Sequence, residues 1–322
     1  MNIITGQVLK FFRRKIYPFL SHHAELPPLQ FENDIYRSQT IIAEKINENR
    51  PCMIARFGSN ELDLIVNWIG VNTTPHSPWR YMKGEIPEWW WNKKILERMQ
   101  KNAGFFPLTQ ESIERFAKMM IEDAKQVDIL GSWLNEEYYL RNELCNAVKV
   151  KLSHLEPPYL YHDLSLPSWS LQLKGKKVLV IHPFSETIMK QYERREKLFK
   201  RDDILVNFDL TTLKAVQSIG GHSEYSNWFD ALDSMKNKMD HLDYDICIIG
   251  CGAYGFPLAA HAKRTGHKAI HLGGATQLLF GIRGKRWEER TDYQPLFNEY
   301  WVRPDSKETP LAASLVENGC YW

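Results

Sequence analysis

Residues 244–274, YDICIIGCGAYGFPLAAHAKRTGHKAIHLGG, decide the fold. An apolar run at 244–250 passes through Gly250, Gly252 and Gly255 into a helical stretch, and a second apolar run follows at 268–273. Strand, glycine turn, helix and strand make the βαβ unit of a parallel sheet. In that setting G-x-G-x-x-G gives a tight turn, through Ala253 and Tyr254, and lets backbone approach a pyrophosphate at the helix start. Glycines kept for packing alone are the plainer alternative. A dinucleotide site also calls for an acidic residue at the end of the second strand to hold a ribose. His271 stands there instead, which weakens a nicotinamide reading and leaves a phosphate reading intact.

The same pattern extends outward. Short runs rich in Val, Ile and Leu occur at 52–57, 127–131, 176–182 and 204–208, as expected of strands buried on both faces. Helical stretches at 60–69, 87–102, 109–126, 185–200 and 227–242 alternate with them. The expectation is an α/β, Rossmann-like fold with a mostly parallel sheet flanked by helices. In such sheets ligands sit beyond the carboxyl ends of the strands. Three regions are expected: a basic amphipathic segment at 1–30, the α/β domain at 31–290, and a tail at 291–322 packed on it. The proline- and aromatic-rich stretch at 154–170 is a candidate join between two halves.

Composition sets bounds. The chain has 322 residues, 43% hydrophobic and 25% charged, so it can bury a substantial core. A formal net charge of +2 gives no bulk electrostatic case for nucleic acid. Five cysteines without a C-x-x-C pair argue against a disulfide framework and suit a reducing cytoplasm. In MNIITGQVLKFFRRKIYPFL, Lys10, Arg13, Arg14 and Lys15 interrupt any signal-peptide apolar core. That segment either docks on the body or lies on an anionic membrane surface with Ile3, Ile4, Val8, Phe11, Phe12 and Ile16 downward.

Three further loops carry candidate chemistry. In CMIARFGSNELDLIVNWIG (52–70), Ser59 or Asn60 reads as a helix N-cap and Glu61 falls in the first turn. Helix capping explains that carboxylate; a second reading has Arg56 and Gly58 approach a phosphate while Glu61 binds a metal or acts as a base. His182 ends a strand before Pro183, where it can contact phosphate or act as acid/base, and Ser185 reads as the next helix cap. The basic run that follows reads as a solvated helix face. Gly273 and Gly274 precede Arg283, Lys285 and Arg286, a glycine loop with cations that suits a diphosphate or sugar. Trp79, Trp89, Trp90, Trp91 and Trp133 suit cores or sugar stacking. There is no G-x-S-x-G, H-E-x-x-H or P-loop lysine motif.

ARFGSNE, HPFSETIMKQYERREKLF, IIGCGAYGFPLAAHAKRTGHKAIHLGGATQLLFGIRGKRW and the ENGCYW at 317–322 together resemble the GT-D-type glycosyltransferase-like proteins of bacterial capsule and surface-polysaccharide clusters. The likeness spans most of residues 50–322. It implies a transferase that moves a sugar from a nucleotide-diphosphate donor, often a UDP-sugar, to a glycan or lipid-linked acceptor, with manganese or magnesium as cofactor. The cysteine usage and the basic start add the expectation of a cytoplasmic place, with peripheral contact at the inner membrane face through residues 1–20 as one option. Transferases of this family carry R-F-G-D-G-E, whose D-x-E pair binds metal and diphosphate. Arg56, Phe57, Gly58 and Glu61 match; Ser59 replaces the aspartate and Asn60 the glycine. The resemblance therefore implies Glu61 as metal ligand or base, with Arg56, Ser59 and Asn60 near the diphosphate. The turns at Gly252–Gly255 and Gly273–Gly274 would border the donor, with His182 the second acid/base. Loss of one charged ligand leaves three options: weak metal binding, reliance on Arg56 and helix dipoles without metal, or altered chemistry. The rivals are an NAD(P)-dependent oxidoreductase using GCGAYG and a non-catalytic nucleotide-sugar-binding scaffold.

Overall fold

Seven strands form one all-parallel sheet in the order β3-β2-β1-β7-β6-β4-β5. They are β1 (Cys52–Ala55), β2 (Ile129–Ser132), β3 (Val148–Lys151), β4 (Lys177–His182), β5 (Asp209–Lys214), β6 (Ile246–Ile249) and β7 (Lys268–His271). This computed structural model describes residues 3–17, 26–156, 167–218, 223–310, 313 and 319–322.

The apolar runs are continuous because the central strands bury both faces. Met53, Ala55, Leu179, Ile181, Cys247 and Ile249 point to one core. It is closed by the helices α3 (Ser59–Asn72), α4 (Lys93–Lys101), α5 (Gln110–Ala124), α7 (Trp228–Asp240) and α8 (Gly255–Arg264). The alternate residues Cys52, Ile54, Val178, Val180, Ile246 and Ile248 face a second core under α2 (Ile35–Asn47) and α6 (Ser185–Tyr192). The chain segment from Trp287 to Trp301 completes that side.

This topology places the ligand crevice. From β4 the chain crosses by α6 on the second face to the edge strand β5, whereas from β6 it crosses by α8 on the first face toward β7. Neighbouring strands whose connections leave in opposite directions open a gap beyond their carboxyl ends. Here that gap lies between His182 and Gly250.

Several sequence expectations need correction. Ile204, Leu205, Val206 and Phe208 are buried, but residues 204–208 are not a strand. The Tyr192 hydroxyl accepts from Phe208 N (2.6 Å) and donates to the Phe208 carbonyl (2.7 Å), the Asn207 carbonyl accepts from Gly175 N (2.9 Å), and the edge strand begins at Asp209. The half-exposed VKVK of β3 is a strand without an apolar run, so its sequence carries no strand signal. The helix expected over 87–102 begins only at Lys93: buried Asn67 donates to the carbonyls of Glu88 (3.1 Å) and Trp90 (2.8 Å), and Asn92 caps the helix. The stretch at 154–170 does not divide the chain into separate sheets, since strands on either side of it share one; residues 157–166 lie outside those described.

Ser185 does not cap α6. Glu308, buried and 122 positions away, does so: its Oε1 accepts from Glu186 N (2.8 Å), and its Oε2 from Thr187 N (3.1 Å) and Thr187 Oγ1 (2.5 Å). The Trp301 indole donates to the Leu198 carbonyl (2.9 Å). These contacts hold Trp301 and Glu308 against the α/β domain. An ionised acceptor at a helix N-terminus, hydrogen-bonded to two backbone donors, stabilises more than a neutral one. Glu308→Ala should therefore lower unfolding free energy in urea by about 2–3 kcal/mol, with Glu308→Gln recovering some of it. A loss below about 0.5 kcal/mol would contradict this capping role.

Candidate functional site

At the switch point lies a cavity of about 210 Å³. It brings together Arg56, Gly58, Ser59, Asn60 and Glu61 after β1, His182 at the end of β4, Gly252, Ala253 and Tyr254 after β6, and Gly273 and Gly274 after β7. Of the expected site residues only Gly255 does not line it. A methyl group there would overlap Nε2 of His271, so Gly255 serves the approach of α8 to β7. Gly252 and Gly273 have φ of 57° and 59°, the left-handed region that side chains disfavour.

Arg56 is held from three sides. Its guanidinium lies 4.6 Å above the Trp133 ring, its Nε is 3.3 Å from Glu156 Oε1, and Nη1 packs against Gly273. Buried Nε makes no hydrogen bond, because the Glu156 contact is off the N–H direction. Burial pushes the Glu156 carboxyl upward, while Arg56, Arg286 and Arg290 pull it down. Arg286 is the second cation on the cavity; its Nη1 donates to the Tyr321 hydroxyl (3.0 Å) and its guanidinium lies 4.8 Å over that ring. Phe184 and Trp322, 6.0 Å apart, line the cavity too.

Gly58, not Ser59 or Asn60, is the N-cap of α3, which makes Ser59, Asn60 and Glu61 its first three residues. The Glu61 carboxylate folds back over Gly58, where any Cβ would overlap Oε2. This is the return path of a glutamate at the third helical position of a capping box. Neither α3 nor α8 receives a side-chain cap from its N-cap residue, and both begin on the cavity.

The two histidines have fixed roles. His182 Nδ1 accepts from Phe184 N (3.0 Å), so the proton is on Nε2; His271 Nδ1–H donates to the Arg56 carbonyl (3.0 Å), so its Nε2 carries the lone pair. Burial lowers both to about 3, with the Arg56 charge adding to the effect at His271. His182 is therefore a neutral hydrogen-bond donor near pH 7, which suits binding an anion better than the acid/base role expected of it. Tyr254 turns inward, stacked on Trp228 at 4.8 Å with its hydroxyl 2.7 Å from Ser218 Oγ, and only borders the cavity.

The metal expectation meets a poor donor set. Among the described residues no cluster of three or more His, Cys, Asp or Glu can hold a metal ion. Among the described residues that line the cavity, Glu61 is the one carboxylate, opposite two guanidinium groups. One carboxylate supplies a divalent cation with little protein charge, whereas two guanidinium groups suit an anion.

Sequence reasoning did not place Glu156, Tyr321 or Trp322 at the site. The proline-rich flank hid Glu156, and only close packing brings Tyr321 against Gly274, where a Cβ would lie 2.5 Å from its ring. Compared with protein-family models, curated proteins and solved structures, the chain matches none.

The buried histidines predict a pH dependence. Each takes up a proton more readily unfolded, near pH 6.5, than folded, near 3, so stability is full above about 6.5 and is lost as pH falls toward 3. Each contributes a slope of up to about 1.4 kcal/mol per pH unit. His182→Asn, which keeps an acceptor for Phe184 N, should flatten the urea-stability slope between about pH 6 and 4 by roughly that amount. Parallel slopes for the two proteins would mean that His182 is not held neutral.

Proposed function

We propose that the cavity binds a nucleotide-diphosphate sugar, most simply a UDP-sugar, and that the chain transfers the sugar to a hydroxyl of a glycan or lipid-linked acceptor. The observation that carries this reading is the convergence of Arg56, Arg286, the glycine turns and the starts of α3 and α8 on one cavity at the sheet's switch point. Guanidinium groups and helix-start N–H groups favour a diphosphate. The adjoining Phe184–Trp322 wall offers apolar surface to a base or sugar.

Transfer breaks the bond between the anomeric carbon and the diphosphate oxygen and forms one to the acceptor oxygen. The electron pair of the broken bond leaves with the diphosphate, where Arg56, Arg286 and the His182 Nε2–H stabilise the growing charge. The acceptor proton goes to the Glu61 carboxylate, the base available on the cavity. Charge neutralisation assigned to a metal in the resembled family falls here to arginine.

His271 argues against the oxidoreductase reading. Its ring is committed to the Arg56 carbonyl and to Gly255, leaving no acidic acceptor for a ribose diol. A sugar-nucleotide binder without turnover is the second reading, favoured by Ser59 in place of an aspartate and by the capping posture of Glu61.

Calorimetric titration with UDP should show binding that EDTA leaves unchanged, and Arg56→Ala or Arg286→Ala should weaken it by roughly tenfold or more. Glu61→Gln, which preserves a capping side chain, should retain UDP affinity and lose sugar transfer. Binding of NADH with no response to UDP would overturn the proposal. Transfer undiminished in Glu61→Gln would remove Glu61 as base.

A further inference from the structure

Helix α1 (Ile3–Phe11) and the π-helical turns that continue it (Phe12–Ile16) present two unlike faces. One face is anchored. Gly6 packs on the Trp90 indole, where a Cβ would lie 2.8 Å from Cε2, and Leu9 packs on Tyr81, Ile86 and Trp89. Lys10 pairs with Glu88, the Arg13 guanidinium lies 4.7 Å over the Tyr81 ring, and buried Tyr17 meets Trp79 edge-on at 5.8 Å. These contacts fix the rotation of the segment about its axis.

The opposite face carries Val8, Phe11, Phe12 and Lys15, spaced i, i+3, i+4 and i+7, with Arg14 beside them. Val8 is 48%, Phe11 58% and Phe12 43% exposed, and Trp79, which Tyr17 touches, is 60% exposed. Four of the eight exposed large hydrophobic side chains among the described residues thus gather at one corner. Arg14 and Lys15 are exposed there, and Lys83 sits 5.5 Å over the Trp79 ring. Nearby Glu85 and Glu88 engage Arg80, Lys83 and Lys10, which leaves the corner with a basic surplus.

We infer that this corner docks on an anionic phospholipid surface. Val8, Phe11, Phe12 and Trp79 enter the boundary between headgroups and acyl chains, while Arg14 and Lys15 meet lipid phosphates. A second copy of the chain is the poorer occupant, because a two-fold contact would set Arg14 and Lys15 against their own counterparts. The inference is independent of what fills the cavity. Among the described residues no helix is long and apolar enough to cross a membrane, so the association is at the surface.

Flotation of the full chain with vesicles tests this. The protein should float with phosphatidylcholine vesicles containing phosphatidylglycerol and not with phosphatidylcholine alone, and binding should fall steeply between about 0.05 and 0.5 M salt. Phe11→Ser with Phe12→Ser, and separately Arg14→Glu with Lys15→Glu, should each reduce flotation tenfold or more with the thermal melt unchanged. No flotation with either vesicle, or equal flotation by both variants, would overturn the inference. So would a dimer in solution that the phenylalanine variant dissociates.

Discussion

The ends of β1, β6 and β7 approach too closely for ordinary side chains, and the cavity depends on that contact. A Cβ on Gly250 would lie 2.5 Å from both the Gly273 carbonyl and Thr276 Oγ1. Thr276 in turn donates to the Ile249 carbonyl (3.2 Å), and His271 reaches across to the Arg56 carbonyl (3.0 Å). Three strand ends are thereby tied through backbone oxygens, which any side chain at residue 250 would force apart. The Arg56 side chain is consequently set between Trp133 and Gly273 before any ligand arrives. Preorganised charge of this kind costs little to bring to a bound anion.

Topology gives that rim its use. Connections leaving β4 and β6 in opposite directions put α6 and α8 on opposite faces of the sheet and leave a gap above the strands. Glu308 takes the donors at the start of α6, while the starts of α3 and α8 remain on the cavity. Arg56 and Arg286 add positive charge on that side. The Glu61 carboxylate faces it, folded onto Gly58. Ser59 in place of an acidic residue leaves Glu61 as the one carboxylate among the described residues that line the cavity.

Five of the seven strands were legible in the sequence because parallel strands buried on both faces leave continuous Val, Ile and Leu runs. Residues 204–208 imitate that signal, since burial alone favours the same residue types, and their hydrogen bonds go to the Tyr192 hydroxyl and Gly175 N rather than to a neighbouring strand. The site was legible wherever chemistry and turn geometry coincide, as at Arg56, Gly252 and Gly273. It was illegible where function rests on distant packing. Nothing local marks Tyr321 as a neighbour of Gly274, or Glu156 as the counterion of Arg56. The proton states of His182 and His271 follow from deep burial and from backbone partners, neither of which a sequence displays.

The most direct test of an anion-holding rim is a crystal structure of the protein soaked with UDP in EDTA. The account predicts the diphosphate between Arg56 and Arg286, within hydrogen-bond distance of backbone N–H groups at residues 252–254. A diphosphate bound elsewhere on the molecule, or one that enters the cavity only with a divalent cation bridging it to Glu61, would contradict it.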